Sequence, residues 1–335
     1  MRPLIHPYLV NGPGGDPALY LDFMFQRRAV LFDLGEINAL STRKLLRIEQ
    51  VFVSHAHMDH FAGFDRLLRI HLGREKRIAL YGPVEFIERV EHKLRGYTWN
   101  VIERYAGNLV LDVFEIGNGQ RNAARFQSRT AFTREPLSTM PPGEVLFQDH
   151  EIRVRAAILD HQTSCLAFAL EETTHINVWK SRLAERGYAV GPWLRQLKQA
   201  VVRGDPDESE FRIWWHDRTG RNEVSARLGE LKQTLLQIVP GQKIGYVVDT
   251  LYHERNAARI VELVRGADVL YIEAVFLDCD TGLAAHKYHL TARQAGQIAH
   301  AAGAKRIVPF HFSPRYAGRE ASLIAEAELA FSGTG

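Results

Sequence analysis

The run Ser54-His55-Ala56-His57-Met58-Asp59-His60 places three imidazoles and a carboxylate within six residues. These side chains share one chemistry, the ligation of divalent metal. Clustered imidazoles with nothing to bind would repel one another on protonation and lose hydration on burial, whereas a metal ion satisfies them all. A solvated polar loop does not account for four such groups at fixed spacing. His55, His57, Asp59 and His60 are therefore candidate metal ligands, and Asp59 is also placed to orient or deprotonate a nucleophile.

One short motif cannot complete two metal shells, so further donors must come from elsewhere in the chain. Apolar, β-branched runs that read as strands supply them. Val51 to Val53 precedes His55, Ile152 to Leu159 precedes Asp160-His161, Ile244 to Val248 precedes Asp249, and Ile307 to Phe310 precedes His311. Ala29 to Phe32 before Asp33 and Val269 to Ile272 before Glu273 follow the same pattern. Taken singly, a His or Asp after a strand is a turn or capping residue. Together they describe side chains converging at one edge of a sheet, where a shared site forms.

Ile78 to Tyr81 and Leu166 to Leu170 also read as strands. Helical patterns cover Phe61 to Leu72, Val84 to Leu94, Asn256 to Val264, Ala292 to Ala302 and Arg319 to Phe331. The sequence predicts a mixed α/β layout in a single domain over residues 1–335. Two segments read as excursions from it: Gly117 to Gly143, and an inserted arm over Thr174 to Asp217 with Gly187, Gly191-Pro192 and Gly204-Asp205-Pro206.

The order of these motifs resembles the metallo-β-lactamase superfamily and, within it, the ribonuclease Z (tRNase Z) family. Tyr271-Ile272-Glu273-Ala274-Val275 is similar to that family's His-Glu-Ala-Thr motif, and His289-Leu290-Thr291 to its His-Ser-Thr motif. His311-Phe312-Ser313-Pro314-Arg315-Tyr316 resembles the closing segment, and Gly187 to Leu194 with Leu197-Lys198 the arm with which the family grips tRNA. The resemblance implies a four-layer αββα sandwich with an inserted arm. It further implies two zinc ions, one on His55, His57 and His161, the other on Asp59, His60 and His311, with Asp249 bridging; the same donors also suit manganese or iron.

By the same resemblance, His289 held by Glu273 would protonate the departing ribose oxygen, and Asp33 would orient metal ligands from behind. Arg315 and the arm residues Gly191, Pro192 and Lys198 would contact substrate, and the protein would be a homodimer acting on precursor tRNA. Lys180, Arg182, Arg186, Arg195 and Arg203 would follow the phosphates. The match departs at the beginning. Asn11-Gly12-Pro13-Gly14-Gly15-Asp16 stands where the family has Gly-Thr-Gly, no match to its Pro-x-x-x-Arg-Asn segment follows, and Asp33-Leu34-Gly35-Glu36 is a shortened form of its motif. These losses bear on substrate recognition rather than metal binding. The second reading is therefore a hydrolase of the same fold acting on a small phosphodiester and not on tRNA.

Bulk properties agree with an ordinary enzyme. The 335 residues are 46% hydrophobic and 24% charged, with a net charge of +3, so nucleic-acid binding must come from local clusters of Lys and Arg. Two cysteines, Cys165 and Cys279, each fall in a segment that reads as strand or strand end, and both read as free thiols of a reducing compartment. The first ten residues lack a signal-peptide layout, and no apolar run approaches a membrane span. A soluble, cytoplasmic protein without membrane contact is expected. His6, His71, His92, His150, His175, His216, His253, His286 and His300 read as surface or packing residues, with His286 near enough to His289 in sequence to be watched.

Overall fold

A computed structural model describes residues 4–24, 26–117, 119–141, 143–173, 175–217 and 220–333. Two large sheets dominate it. The first has eight strands in sequential order: Ile5–Leu9, Leu19–Phe23, Ala29–Phe32, Ile48–Phe52, Lys76–Pro83, Leu109–Ile116, Arg121–Gln127 and Glu135–Met140. Ala29–Phe32, Ile48–Phe52, Lys76–Pro83 and Leu109–Ile116 run parallel, with antiparallel strands outside them. The second sheet has six, in the order Ile307–Phe310, Val269–Glu273, Lys243–Val247, Ser164–Glu172, Ile152–Asp160 and Val145–Gln148.

Alternation along the strands builds the layers. In the first sheet Leu31, Val51, Val53, Ile78 and Leu80 pack with Phe64, Leu67, Phe86 and Val90 of the helices Phe64–His71 and Phe86–Arg95. In the second, Ala167, Ala169, Leu270 and Ile272 pack with Ile260, Ile298, Ala299 and Leu323 of the helices Glu254–Val264, Ala292–Ala301 and Glu320–Phe331. The intervening positions point the other way and meet between the sheets. Phe168 stacks on Phe32 at 5.2 Å and lies 5.7 Å from Phe52, while Tyr246 lies 5.6 Å from Phe32 and 5.3 Å from Phe310. The order is helix, sheet, sheet, helix.

The chain divides into two compact units. One comprises residues up to Leu146, Val154–Leu170 and Lys243 onward; the other comprises Phe147–Arg153 and Glu171–Gln242. The inserted unit therefore continues past Asp217, and Thr174, where the arm was expected to begin, is outside the described residues. It contains the antiparallel pair Glu210–Asp217 and Gly220–Arg227 and the helices Trp193–Arg203 and Leu228–Leu235. These pack around wholly buried Trp193, Leu197, Ile213 and Leu231.

Three expectations need correction. Gly117 to Gly143 is no excursion: Arg121–Gln127 and Glu135–Met140 complete the first sheet, their charged residues marking its outer strands rather than a loop. Cys279 lies exposed in the turn Asp278–Asp280, not in a strand; Cys165 is buried in a strand, and both thiols are free. The helix expected from Phe61 to Leu72 is two, Met58–Phe61 and Phe64–His71, because Gly63 interrupts it. No helix among the described residues is long and apolar enough to cross a membrane.

The inter-sheet aromatic layer sets a stability prediction. Truncating Phe168 to Ala removes the ring that both Phe32 and Phe52 contact, and should cost about 3–5 kcal/mol. Urea unfolding of Phe168→Ala against the parent measures it.

Candidate metal centre

Strand ends of both sheets open at one place. Val53 donates its amide to Tyr81 and Asp33 to Phe52, which carries the chain off the first sheet into the Ser54–His60 loop. Leu166 of the second sheet donates to the Ser54 carbonyl at 2.9 Å, so this loop is bonded to both sheets. Behind it, Leu34 donates to the His60 carbonyl. A Cβ on Gly35 would stand 2.4 Å from the Asp59 carbonyl, so only glycine lets the two loops approach this closely.

Asp249 is the focus. It is buried, and its Oδ2 lies 3.4 Å from His55 Nε2, 3.3 Å from His161 Nε2 and 3.5 Å from His60 Nε2, while Oδ1 lies 3.0 Å from His311 Nδ1. Asp59 Oδ2 is 3.4 Å from His60 Nε2 and 3.5 Å from His311 Nε2. The donor atoms fall into three sets, each within 4.8 Å: His55, His57, His161 and Asp249; Asp59, His60 and His311; and Asp249, Glu273, His289 and His311. Five strand ends thus bring together eight of the residues expected here from the sequence, and the loop after the helix Thr281–His286 adds the ninth, His289.

The far sides of three rings are occupied in the manner of metal ligands. His161 Nδ1 donates to the Tyr288 carbonyl at 2.8 Å, His60 Nδ1 to Asp33 at 2.9 Å, and His55 Nδ1 lies 3.1 Å from Ser54 Oγ. The near side is not satisfied. His55 Nε2, His60 Nε2, Asp249 Oδ1 and His311 Nδ1 are buried without a hydrogen-bond partner. Unpartnered buried polar atoms are costly and rare, and four aimed at one another fit divalent cations with nitrogen and oxygen ligands.

The backbone at the centre is strained as well. Among the described non-glycine residues with left-handed backbone, Asp33 (φ 58°), Gln162 (59°), Asp249 (47°), Tyr288 (61°) and His311 (59°) all belong to the centre or the cleft around it. Such conformations cost of order 1–3 kcal/mol each and gather where geometry serves a site.

Electrostatics divide the ligands. Burial pulls His55 down to about 2, and burial also lowers His57. Burial opposes protonation of His60 and His311 too, yet Asp249, with Asp33 beside His60, outweighs it and holds both rings well above the ordinary imidazole value. Asp249 and Asp59, which burial alone would raise, are held below the usual carboxylate range by His311 and His60. Glu273 is likewise brought down to about 2, its burial outweighed by His289 at 2.9 Å. His289 is raised in return, against its own burial.

A cleft of about 720 Å³ opens over the centre, walled by Phe276, Lys287, Tyr288, Phe312 and Arg315 beside the candidate ligands. Arg315 faces Asp280 at 3.6 Å. His286 is exposed at the end of the helix Thr281–His286. Gly191, Pro192 and Lys198 belong to the inserted unit, where Pro192 caps the helix Trp193–Arg203 and burial lowers the Lys198 ammonium. Of the basic residues there, Arg186 pairs with Glu230 and Arg203 with Asp205. The sequence reading missed three groups that support the site: Tyr246, whose hydroxyl bonds Asp33; Thr250, whose amide bonds Glu273; and Asn256, which bonds Thr250 Oγ1. Only Thr250, next to Asp249, carried any signal.

Proton release follows from the raised histidines. In the ion-free protein His60 and His311 keep their protons as pH rises past the ordinary imidazole value, and an ion must displace them. Metal affinity should therefore increase with pH, and titration of chelator-treated protein in buffers of different ionisation enthalpy should show protons released. An ion at 100 times its Kd should also stabilise the fold by about 2.7 kcal/mol.

Comparison with known proteins agrees with this geometry. The sequence model described as a β-lactamase superfamily domain matches residues 227–312. Among solved structures, human tRNase Z, short form, superposes with a TM-score of 0.51 at 18% identity over 93% of this chain and 92% of its own. The metallo-β-lactamase fold protein YhfI from Bacillus subtilis gives 0.55 at 15%, over 97% and 92%. These establish the metallo-β-lactamase fold. Ribonuclease Z of Limosilactobacillus reuteri is 29% identical over 91% of this chain and 84% of its own length. Ribonuclease Z of Deinococcus radiodurans is 31% identical over 92% of this chain and 90% of its own, a relation that spans the ligand strands of both sheets, and this chain belongs to the ribonuclease Z family.

Proposed function

We propose that this chain is a dinuclear metal-dependent endoribonuclease that removes the 3′ extension of precursor tRNA. The observation that carries the reading is the meeting of three donor sets through Asp249 and His311 in one cleft, on a chain of this family. His55, His57 and His161 would hold one ion and Asp59, His60 and His311 the other, with Asp249 a donor that both positions could use. Zinc suits these nitrogen and oxygen donors. Such ions would supply Lewis acidity toward a phosphoryl oxygen and lower the pKa of a water nucleophile.

The chain's own residues supply the proton chemistry. Asp59, held ionised by His60 and His311, accepts from the attacking water and orients it. His289 donates Nδ1–H to Glu273 Oε2, and Glu273 Oε1 accepts the amides of Thr250 and Leu290, each at 3.0 Å, so the carboxylate cannot turn. His289, whose protonated form Glu273 favours against its burial, is placed to give a proton to the departing ribose oxygen and leave the upstream product with a 3′-hydroxyl. Arg315 at the cleft meets a phosphate. Gly191, Pro192 and Lys198 lie in the unit that grips the RNA at a distance, in a cytoplasmic homodimer.

Metal-loaded protein incubated with a 3′-extended precursor tRNA should cut just after the discriminator nucleotide, and Asp249→Ala should abolish the cut. Turnover of bis-p-nitrophenyl phosphate with the precursor left intact would instead make the protein a small-molecule phosphodiesterase. His289→Ala should lower kcat on the precursor by roughly 10²–10⁴ and affect the nitrophenyl diester far less, because nitrophenolate departs without a proton. Since the acid form is the active one, parental RNA cleavage should fall as pH rises through the raised His289 value. The variant should lack that limb.

A further inference from the structure

Tyr246 is wholly buried in the strand Lys243–Val247, its ring packed against Phe32 and Phe310 between the sheets. A hydroxyl in such an apolar layer needs a partner. Its partner is Asp33 Oδ2, 2.8 Å away at the end of the opposite sheet. The Asp33 carboxylate gathers three more contacts: Oδ1 accepts the Ser54 amide at 2.6 Å, and Oδ2 accepts the Ser54 hydroxyl at 2.8 Å and His60 Nδ1–H at 2.9 Å. Ser54 Oγ lies in turn 3.1 Å from His55 Nδ1.

These contacts form one directed chain when both rings ligate through Nε2. His55 Nδ1–H donates to Ser54 Oγ, the Ser54 hydroxyl to Asp33, and His60 Nδ1–H to Asp33. His55 and His60 belong to different donor sets, so a single carboxylate fixes one ring in each. Three of the four bonds to that carboxylate come from the Ser54–His60 loop. The fourth, from Tyr246, comes from the second sheet, which also carries Asp249.

We propose that Tyr246 is a positioning residue for both metal positions: its hydroxyl clamps Asp33 across the sheet interface and so fixes the orientation of His55 and His60. This rests on the metal reading given above. Loss of the hydroxyl leaves the ring packing in place but frees one lone pair of Oδ2, and the carboxylate can then rotate away from Ser54 and His60. The effect falls on metal binding rather than on the fold.

The test compares the parent, Tyr246→Phe and Tyr20→Phe, each stripped of metal and titrated with Co²⁺ by calorimetry and visible absorption. Tyr20 is the control, a wholly buried tyrosine whose hydroxyl bonds the Lys44 carbonyl at 2.9 Å. Tyr246→Phe should bind both equivalents roughly 10- to 100-fold more weakly with an altered ligand-field spectrum, and Tyr20→Phe should match the parent. A Tyr246→Phe protein with parental affinities and spectrum overturns the proposal. A parent that takes up fewer than two Co²⁺ ions overturns the metal reading, and the proposal with it. If Tyr246→Phe does not fold, 3-fluorotyrosine at the same position keeps the ring and alters only the donor; a changed spectrum supports the clamp, and an unchanged one overturns it.

Discussion

A buried carboxylate surrounded by imidazoles is the interaction on which the rest of the molecule depends. Asp249 would be costly to bury alone, and so would each histidine around it. Their proximity makes sense only if every backbone that carries them is held to within fractions of an ångström. Two sheets packed through Phe32, Phe52, Phe168, Tyr246 and Phe310 provide that rigidity, because large rings in contact leave little room for sliding. The outer helices then cover the opposite faces.

Much of the centre was legible in the sequence because its ligands share one grammar, an apolar run ended by His, Asp or Glu. Ala29–Phe32 and Ile307–Phe310 fall where the apolar residues place them, and Asp33 and His311 follow directly. The outer strands were hidden for the opposite reason. Arg-Asn-Ala-Ala-Arg-Phe-Gln at 121–127 is polar on its open face, so composition alone reads it as loop. Tyr246 was hidden inside a run that looks like plain core, since nothing in Ile-Gly-Tyr-Val-Val reveals that its hydroxyl finds a carboxylate from residue 33. Contacts 213 residues apart in sequence leave no local pattern.

The inserted unit enters where two strands of the second sheet would otherwise be joined directly. Ser164–Glu172 and Lys243–Val247 are neighbours in that sheet, yet Glu171–Gln242 lies between them and forms its own core around Trp193. A long insertion at such a junction is tolerated because closing a larger loop adds little entropy once its residues fold among themselves. The candidate ligands all stay in the other unit. Chemistry and the inserted surface can therefore change independently.

The left-handed residues in the loops around the centre set the chain's fitness as a scaffold for engineering. Gln162 and Tyr288 hold a backbone conformation that glycine adopts freely and other residues only at a cost of roughly 1–2 kcal/mol. A laboratory selection that rewards heat resistance alone would drift toward glycine at both positions. It would gain melting temperature while loosening the carbonyl that steadies His161. Thermal robustness and catalytic competence thus pull this protein in opposite directions at the same few backbone torsions.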